Sequence, residues 1–382
     1  MDNYDLIIVG AGPAGLCLAR ELAESNLLIL ILDKKKNAED VQYNTSGSFI
    51  NPKEWNLPAN VLHPISELKI YSKNKEAANS ISGYVIDRKK LLSFFEIEAQ
   101  KNKNLEIQYS AIIENIIYKN QSISSIRFRK GSEMREITAK IFVDCSGVSS
   151  ILGKKLGLIS VQSIVAVGVE YLVPLLEENG TADLFFGSQL EGGYGWIFPK
   201  DSETAIVGYG TLSKERFKSV EYFLKKMWQI KRVSERCELK ILERNVAVLK
   251  TGGPLKKLTT GNLLIIGDSA LQANPLMGEG IRFVMDASRI ASKWIEKAIE
   301  LNDNGLLGNY DKEWRAKYDT KYKIALWLQQ KIKGKSINDK YLDRVVKTLE
   351  SLNANEFEKI ASGNLSYYSL IQFFLRYLIV GR

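Results

Sequence analysis

The chain has 382 residues, 53 Lys+Arg against 44 Asp+Glu for a net charge of +9, 45% hydrophobic residues and one histidine, His63. That suits a globular protein with a large core in two or three domains; it excludes a multi-histidine metal site and disfavours a histidine-based triad. Three scattered cysteines (Cys17, Cys145, Cys237) give neither a disulfide framework nor metal-ligand spacing, and the excess of cations points to an anionic partner, a phosphate-bearing substrate or an acidic membrane surface, with solvated surface lysine as the plain alternative.

Leu6-Ile7-Ile8-Val9 is a short continuous apolar run, as expected of a strand buried on both faces. Gly10-Ala11-Gly12-Pro13-Ala14-Gly15 follows, then a helical pattern through Leu16, Leu18, Ala19 and Leu22 and a second strand, Leu27 to Leu32, ending at Asp33. Strand, glycine turn, helix, strand and acid make the dinucleotide fingerprint in its confirming context. Gly10 permits the tight turn, Gly12 brings backbone to the pyrophosphate, Gly15 packs helix on sheet, and Asp33 is placed for the adenosine ribose. The strand leads directly from the start of the chain, so no secretory leader is expected. No apolar run reaches the roughly eighteen residues of a spanning helix.

Asn44-Thr45-Ser46-Gly47-Ser48 reads as a polar loop, with Ser46 and Gly47 as cofactor contacts. Tyr84 to Asp87 is a short strand running into an amphipathic helix. Arg88 at that junction reaches a cofactor phosphate, anchors neighbouring loops, or is a surface arginine. Residues 105–142 carry strand-like spacing with a hairpin near Lys130-Gly131. Ile141-Phe142-Val143 then returns the chain to the first sheet and brings Gly147 to the pyrophosphate.

Strand-like runs at Val165–Tyr171, Asp183–Phe186, Ala205–Tyr209 and Val246–Leu249 predict a mainly antiparallel sheet roofing the cofactor. Tyr194, Trp196 and Phe198 alternate along one strand and so share a face. They wall an apolar pocket or pack an ordinary sheet core. Leu263 to Ile266 is another apolar strand; it ends at Gly267-Asp268, and Pro275-Leu276-Met277-Gly278-Glu279-Gly280 opens a helix from Ile281 to Ile299. There Asp268 suits ribityl hydroxyls, and the bare turn with the helix dipole suits the electron-rich edge of a flavin. Two such sites far apart argue for FAD, with no metal. The last eighty or so residues read as helical, and the tail Leu365–Val380 has one charge, Arg376. It caps a tunnel, dips into a membrane interface, or packs as core.

These motifs carry a resemblance. Tyr194, Trp196, Phe198 and Pro199, followed after eight residues by Gly208 and Gly210, with Asn274 to Ile281 and Gly267-Asp268, resemble the geranylgeranyl reductase family within the flavoprotein superfamily that includes aromatic hydroxylases. The similarity covers residue 4 to about 300. It implies reduction of isoprenoid double bonds by reduced FAD, on a prenyl lipid or prenyl diphosphate, with an external electron donor, NAD(P)H or ferredoxin; no separate NAD(P)H fingerprint is visible. Family members often carry a cysteine in the loop at 44–48, absent here, and Ser146 stands where hydroxylases have aspartate. The expected architecture is α/β: a Rossmann-like FAD-binding domain (1–160 and 250–300), an inserted, mainly antiparallel β-sheet substrate domain (161–249) and a C-terminal helical region (301–382). Tyr194, Trp196, Phe198 and Glu279 are the candidate catalytic residues, and the proton donor is Tyr194, Tyr209, Glu279 or water. The remaining cofactor contacts are Pro13, Ala14, Gly147, Pro275, Gly278, Gly280 and Ile281. A monooxygenase or halogenase of the same fold, and a non-redox, lycopene-cyclase-like flavoprotein, are the alternatives. The expected setting is cytoplasmic, with peripheral contact at a membrane surface as a variant, and no nucleic acid.

Overall fold

Two eight-stranded sheets stand side by side with a cavity between them in the computed structural model, which describes residues 2–159, 165–333 and 338–380. In chain order, β1 (Asp2–Val9), α1 (Pro13–Glu21), β2 (Ile29–Leu32), β3 (Thr45–Ser48), β4 (Leu62–Tyr71), β5 (Glu76–Asp87) and α2 (Arg88–Ala99) come first. Then follow β6 (Leu105–Gln108), β7 (Ala111–Lys119), β8 (Ser122–Lys130), β9 (Glu133–Asp144), α3 (Ile151–Lys155), β10 (Val165–Pro174), β11 (Thr181–Phe185), β12 (Gly193–Pro199) and β13 (Thr204–Thr211). The rest is α4 (Val220–Lys226), α5 (Lys231–Arg236), β14 (Glu243–Lys250), β15 (Thr259–Thr260), β16 (Leu263–Ile265), α6 (Ile281–Glu300), α7 (Gly308–Lys333), α8 (Asp339–Glu350), α9 (Ala354–Ala361) and α10 (Tyr367–Val380).

The first sheet runs β15-β16-β9-β1-β2-β6 and is parallel from β16 to β6. Leu6, Ile7 and Ile8 on its central strand are fully buried. Its central strands are buried on both faces, and continuous apolar runs are the consequence. Each such side chain stabilises the fold by about 1.5–3 kcal/mol. α1 packs against α6, where the Ser288 hydroxyl donates to the Ala14 carbonyl at 3.1 Å. β1 lies between β2 and β9, so the chain leaves it in one direction and returns on the other side. Ligands bind at the carboxyl ends of strands flanking such a switch point.

The second sheet runs β14-β10-β13-β12-β11-β4-β5-β3, antiparallel except where β11 meets β4. One face is packed by α4 and α5 through Phe223, Leu224, Met227 and Val233. The other faces the cavity and the C-terminal helices. This is a Rossmann-like α/β fold with a mainly antiparallel second sheet and C-terminal helices.

Two expectations need correction. Residues 44–48 are not all loop: Thr45–Ser48 pair with β5, Gly47 opposite Val85. The boundary drawn at residue 160 does not describe sheet membership, because β3, β4 and β5 belong to the second sheet. They join it through parallel pairing of Leu68 with Ala182, residues more than a hundred positions apart. No local pattern encodes that distant partner. The point at 160 itself lies outside the described residues.

Candidate functional site

Gly10 adopts φ +111°, and a methyl group there would lie 2.3 Å from the Cys145 carbonyl oxygen. A methyl on Gly15 would lie 1.9 Å from the Gly10 carbonyl. Both glycines are demanded by backbone packing. Gly12 is different: nothing stands within 4 Å of the place a side chain would take, and the residue opens onto the cavity. α1 begins there with Pro13, without a side-chain cap or an acid in its first turn. Its uncapped N–H groups and dipole make an anion cradle.

Asp33 lines the same end and accepts from Ala11 N at 2.6 Å and Lys35 N at 2.8 Å. Each carboxylate oxygen keeps a lone pair for a ribose hydroxyl. Lys35 donates to the Ala11 carbonyl at 2.9 Å, and burial pushes its ammonium down against the pull of Asp33. Sequence reasoning missed Lys35, which was visible two residues beyond the acid.

Asp144 is fully buried and accepts from the Ser146 and Ser269 hydroxyls and from Leu152 and Gly153 N–H at 2.6–3.0 Å. It thereby fixes the Ser146-Gly147 turn beside the Gly267–Ala270 turn, and Gly147 (φ +63°) faces open cavity. The Asp268 carboxylate lines the cavity as well. Burial pushes it up, opposed by the charges of Arg88 and Lys250. Arg88 lies over the Tyr43 ring at 4.0 Å, and its buried Nε has no hydrogen-bond partner. That orphaned donor, the open cradle at Gly12 and the cavity-facing Asp268 fit a dinucleotide with phosphate and polyol parts.

Asn274 shapes the second turn: its Oδ1 accepts from Leu276 and Met277 N–H, and its carbonyl accepts from Gly278 N at 2.8 Å. Gly278 takes φ +71°, and α6 begins at Gly280 without a side-chain cap or first-turn acid. Pro275, Gly278, Gly280 and Ile281 all line the cavity. α7 braces the turn from behind, through Tyr322 to the Gln272 carbonyl and Gln329 to the Pro275 carbonyl.

Tyr194, Trp196 and Phe198 line the cavity as one stack, with ring centroids 5.3 and 6.3 Å apart, extended by Phe186 at 5.9 Å from Tyr194. The register explains the glycines of the motif. Trp196 pairs with Gly208 and Tyr194 with Gly210, and cross-strand partners share a face. A methyl on Gly208 would lie 2.1 Å from the indole, and one on Gly47 would lie 3.3 Å from the Phe198 ring. The Tyr194 hydroxyl sits 3.7 Å from where a methyl on Gly278 would be, and burial alone pushes its pKa up.

Tyr209 drops out as a proton donor. It points to the opposite face, stacks on Phe223 and donates to the Leu190 carbonyl at 3.0 Å, its hydroxyl pushed up to about 12 by burial. The period of two decides this: Tyr209 lies between Gly208 and Gly210, the cross-strand partners of Trp196 and Tyr194, and so points to the other face. Glu279 lines the cavity, but its oxygens accept from Ser48 Oγ at 2.6 Å, Phe49 N at 3.3 Å and Arg282 at 3.0 Å. Arg282 also donates to the Ser362 carbonyl at 2.7 Å, between α9 and α10. Glu279 thus anchors the turn; Arg282, three residues on in the first turn of α6, was the readable signal for it.

The glycine turns at Gly12, Gly147 and Gly278 and the aromatic stack open into one continuous cavity of about 1840 Å³. Beyond the aromatic stack its wall turns apolar: Leu68, Ile70 and Leu184 from the second sheet, then Leu349, Phe373 and Tyr377 from α8 and α10. The tail therefore caps the cavity. His63 lies apart, 3.4 Å from Glu178.

Comparison with known proteins agrees with this geometry. Residues 5–375 match the family described as lycopene cyclase protein. The digeranylgeranylglycerophospholipid reductase 1 of Methanococcoides burtonii is 27% identical, covering 94% of this chain and 90% of its own length. A geranylgeranyl bacteriochlorophyll reductase-like protein from Thermoplasma acidophilum superposes with TM-score 0.87 at 20% identity, over 100% of this chain and 98% of the other. A triple mutant of the flavin-dependent brominase Bmp2 superposes with TM-score 0.76 at 15% identity, over 97% and 98%. These two structures establish the shared fold. The chain belongs to the lycopene cyclase protein family, and its likeness to the geranylgeranyl reductases spans nearly its whole length.

Proposed function

We propose that this member of the lycopene cyclase protein family is an FAD-dependent reductase that saturates isoprenoid double bonds of a prenyl lipid. One observation carries the reading: a single cavity joins dinucleotide-binding turns to an apolar chamber through an aromatic wall. A dinucleotide alone does not need that chamber, whereas a long hydrocarbon chain does. The reductases among its relatives support the same choice.

When bound, reduced FAD would supply hydride. Gly12 and the N-terminus of α1 would hold its pyrophosphate, Asp33 its ribose, Asp268 its ribityl hydroxyls and Arg88 a phosphate oxygen, and the N-terminus of α6 would offer N–H groups to its ring. Trp196 and Phe198 exclude water and hold the alkene in place. An unactivated alkene accepts hydride at one carbon only as a proton reaches the other. Tyr194, kept protonated by burial at the cavity wall, is the group we assign to that proton. Electrons arrive from an external donor, NAD(P)H or ferredoxin.

The test is the mass of the product. Protein loaded with FAD and reduced without oxygen is given a geranylgeranyl phospholipid in detergent micelles, and products heavier by two hydrogens per double bond are expected. A product carrying oxygen or halogen assigns the chain to the monooxygenases or halogenases. An isomer of unchanged mass assigns it to the non-redox cyclases.

A further inference from the structure

Helix α10 is apolar on two sides, with its polar residues Ser369, Gln372 and Arg376 in a stripe between them, yet none of its fourteen residues is buried. Its inner side, Leu370, Phe373, Phe374 and Tyr377, lines the cavity. Its outer side repeats at the same helical spacing, with Tyr368 (70% exposed), Ile371 (57%), Leu375 (57%), Leu378 (60%) and Ile379 (72%). Scattered exposed apolar residues are ordinary, but a contiguous stripe of this kind marks an interaction surface.

We propose that the outer face of α10 docks on an anionic lipid bilayer and that the prenyl chain passes from bilayer to cavity beside this helix. The proposal rests on the prenyl-lipid reading of the site. Charge favours this occupant over a second copy of the chain: the protein carries +9, and no acidic residue follows Glu358. A second copy would bring the same positive charge to the contact, which an anionic surface neutralises. The only charge on α10, Arg376, is paired with Glu356 of α9 at 2.9 Å. At the edge of the face Trp327 is 40% exposed, its ring 5.7 Å from Phe374, with the Lys331 ammonium 5.7 Å from its centroid. Amphipathic aromatic rings and lysine suit the headgroup level. Among the described residues no helix is long and apolar enough to cross a membrane. α10, about 21 Å long at 1.5 Å per residue, suits a position in the interface plane.

The full chain is sedimented with vesicles of phosphatidylglycerol and phosphatidylcholine, and with phosphatidylcholine alone, at low and high salt. The wild type is expected to pellet with the anionic vesicles and to release with salt. Ile371→Glu/Leu375→Glu/Ile379→Glu is expected to lower partition by at least about tenfold, with the circular dichroism spectrum unchanged. None of these three side chains lines the cavity. Ile379→Glu alone, at the most exposed site, moves partition in the same direction and serves if the triple variant misfolds. Wild-type protein remaining in the supernatant, or binding by both variants equal to that of wild type, overturns the proposal. So does a dimer that persists on vesicles and is dissociated by the triple variant, since a second copy then covers the face. Turnover of a prenyl alcohol delivered from cyclodextrin, without a lipid phase, reads the site separately. Its failure alongside intact vesicle binding removes the prenyl reading and sustains the docking face.

Discussion

The indole of Trp196 occupies the space above Gly208, its cross-strand partner, where a methyl group would stand 2.1 Å from Cε2. Gly208→Ala is therefore expected to push the ring into the cavity. Turnover of prenyl substrate should fall by about tenfold or more while bound flavin is retained, since misalignment of about 1 Å costs that much or more. Trp196→Ala removes roughly 3 kcal/mol of apolar contact and should also lower turnover with flavin bound. The two effects should be non-additive in the double variant, as for residues in direct contact. Flavin content and single-turnover reoxidation on the same sample decide it. Unchanged reoxidation at full occupancy removes Trp196 from the site.

Gly10 and Gly12 should fail in different ways. Gly12→Ala has open space around the new methyl, so the protein should fold with its melting temperature nearly unchanged and yet purify without FAD. Gly10→Ala must place a methyl 2.3 Å from the Cys145 carbonyl oxygen at φ +111° and should lose stability outright. Thermal melts paired with flavin absorbance separate the two. A yellow, fully loaded Gly12→Ala protein would contradict the cradle.

Asp268 should show a conflict between stability and binding. Burial raises its pKa, so the folded apoprotein binds this proton more tightly than the unfolded chain does. Apoprotein stability from this group therefore increases as pH falls through the raised value toward the ordinary aspartate value, and levels off below it. Asp268→Asn should abolish that slope and raise the apoprotein melting temperature at neutral pH. It should weaken FAD by about fivefold for each ribityl hydrogen bond lost. Melts across pH and a flavin titration check both halves.

Arg282 ties the second turn to the C-terminal cap through Glu279 and the Ser362 carbonyl. Arg282→Met leaves a buried carboxylate unpaired and should cost about 3 kcal/mol. Hydrogen exchange should speed up at both Asn274–Gly278 and Ser362–Gly363. Adding Glu279→Gln should recover part of the loss. Faster exchange confined to one segment would show that the two are not coupled.

Tyr194→Phe removes a hydroxyl and little volume. FAD content and the melting temperature should hold, with turnover reduced by about a hundredfold, as for loss of a general acid. If turnover is unaffected, the proton comes from water.

The fold of the first βαβ unit was legible because its determinants are local. Gly10, Gly12, Gly15 and Asp33 lie within one βαβ unit, where Gly10 makes the turn at φ +111° and Gly15 answers the Gly10 carbonyl five residues away; only the packing of Gly10 on Cys145 comes from a distant strand. Asp268 and the Gly278–Gly280 turn were readable for the same reason, as strand, turn and helix in immediate succession. The alternation of Tyr194, Trp196 and Phe198 placed them on one face, but not on which side of the sheet. Only tertiary structure settled that, by packing α4 behind Tyr209 and leaving the aromatic face to the cavity. It also took β4 and β5 from the expected first domain, because strand pairing is a contact between distant segments that local composition does not encode. The roles of Arg282 and of the C-terminal wall come from the same source. An amphipathic helix announces that it will bury a face, but what it buries that face against is decided only when the whole chain has folded.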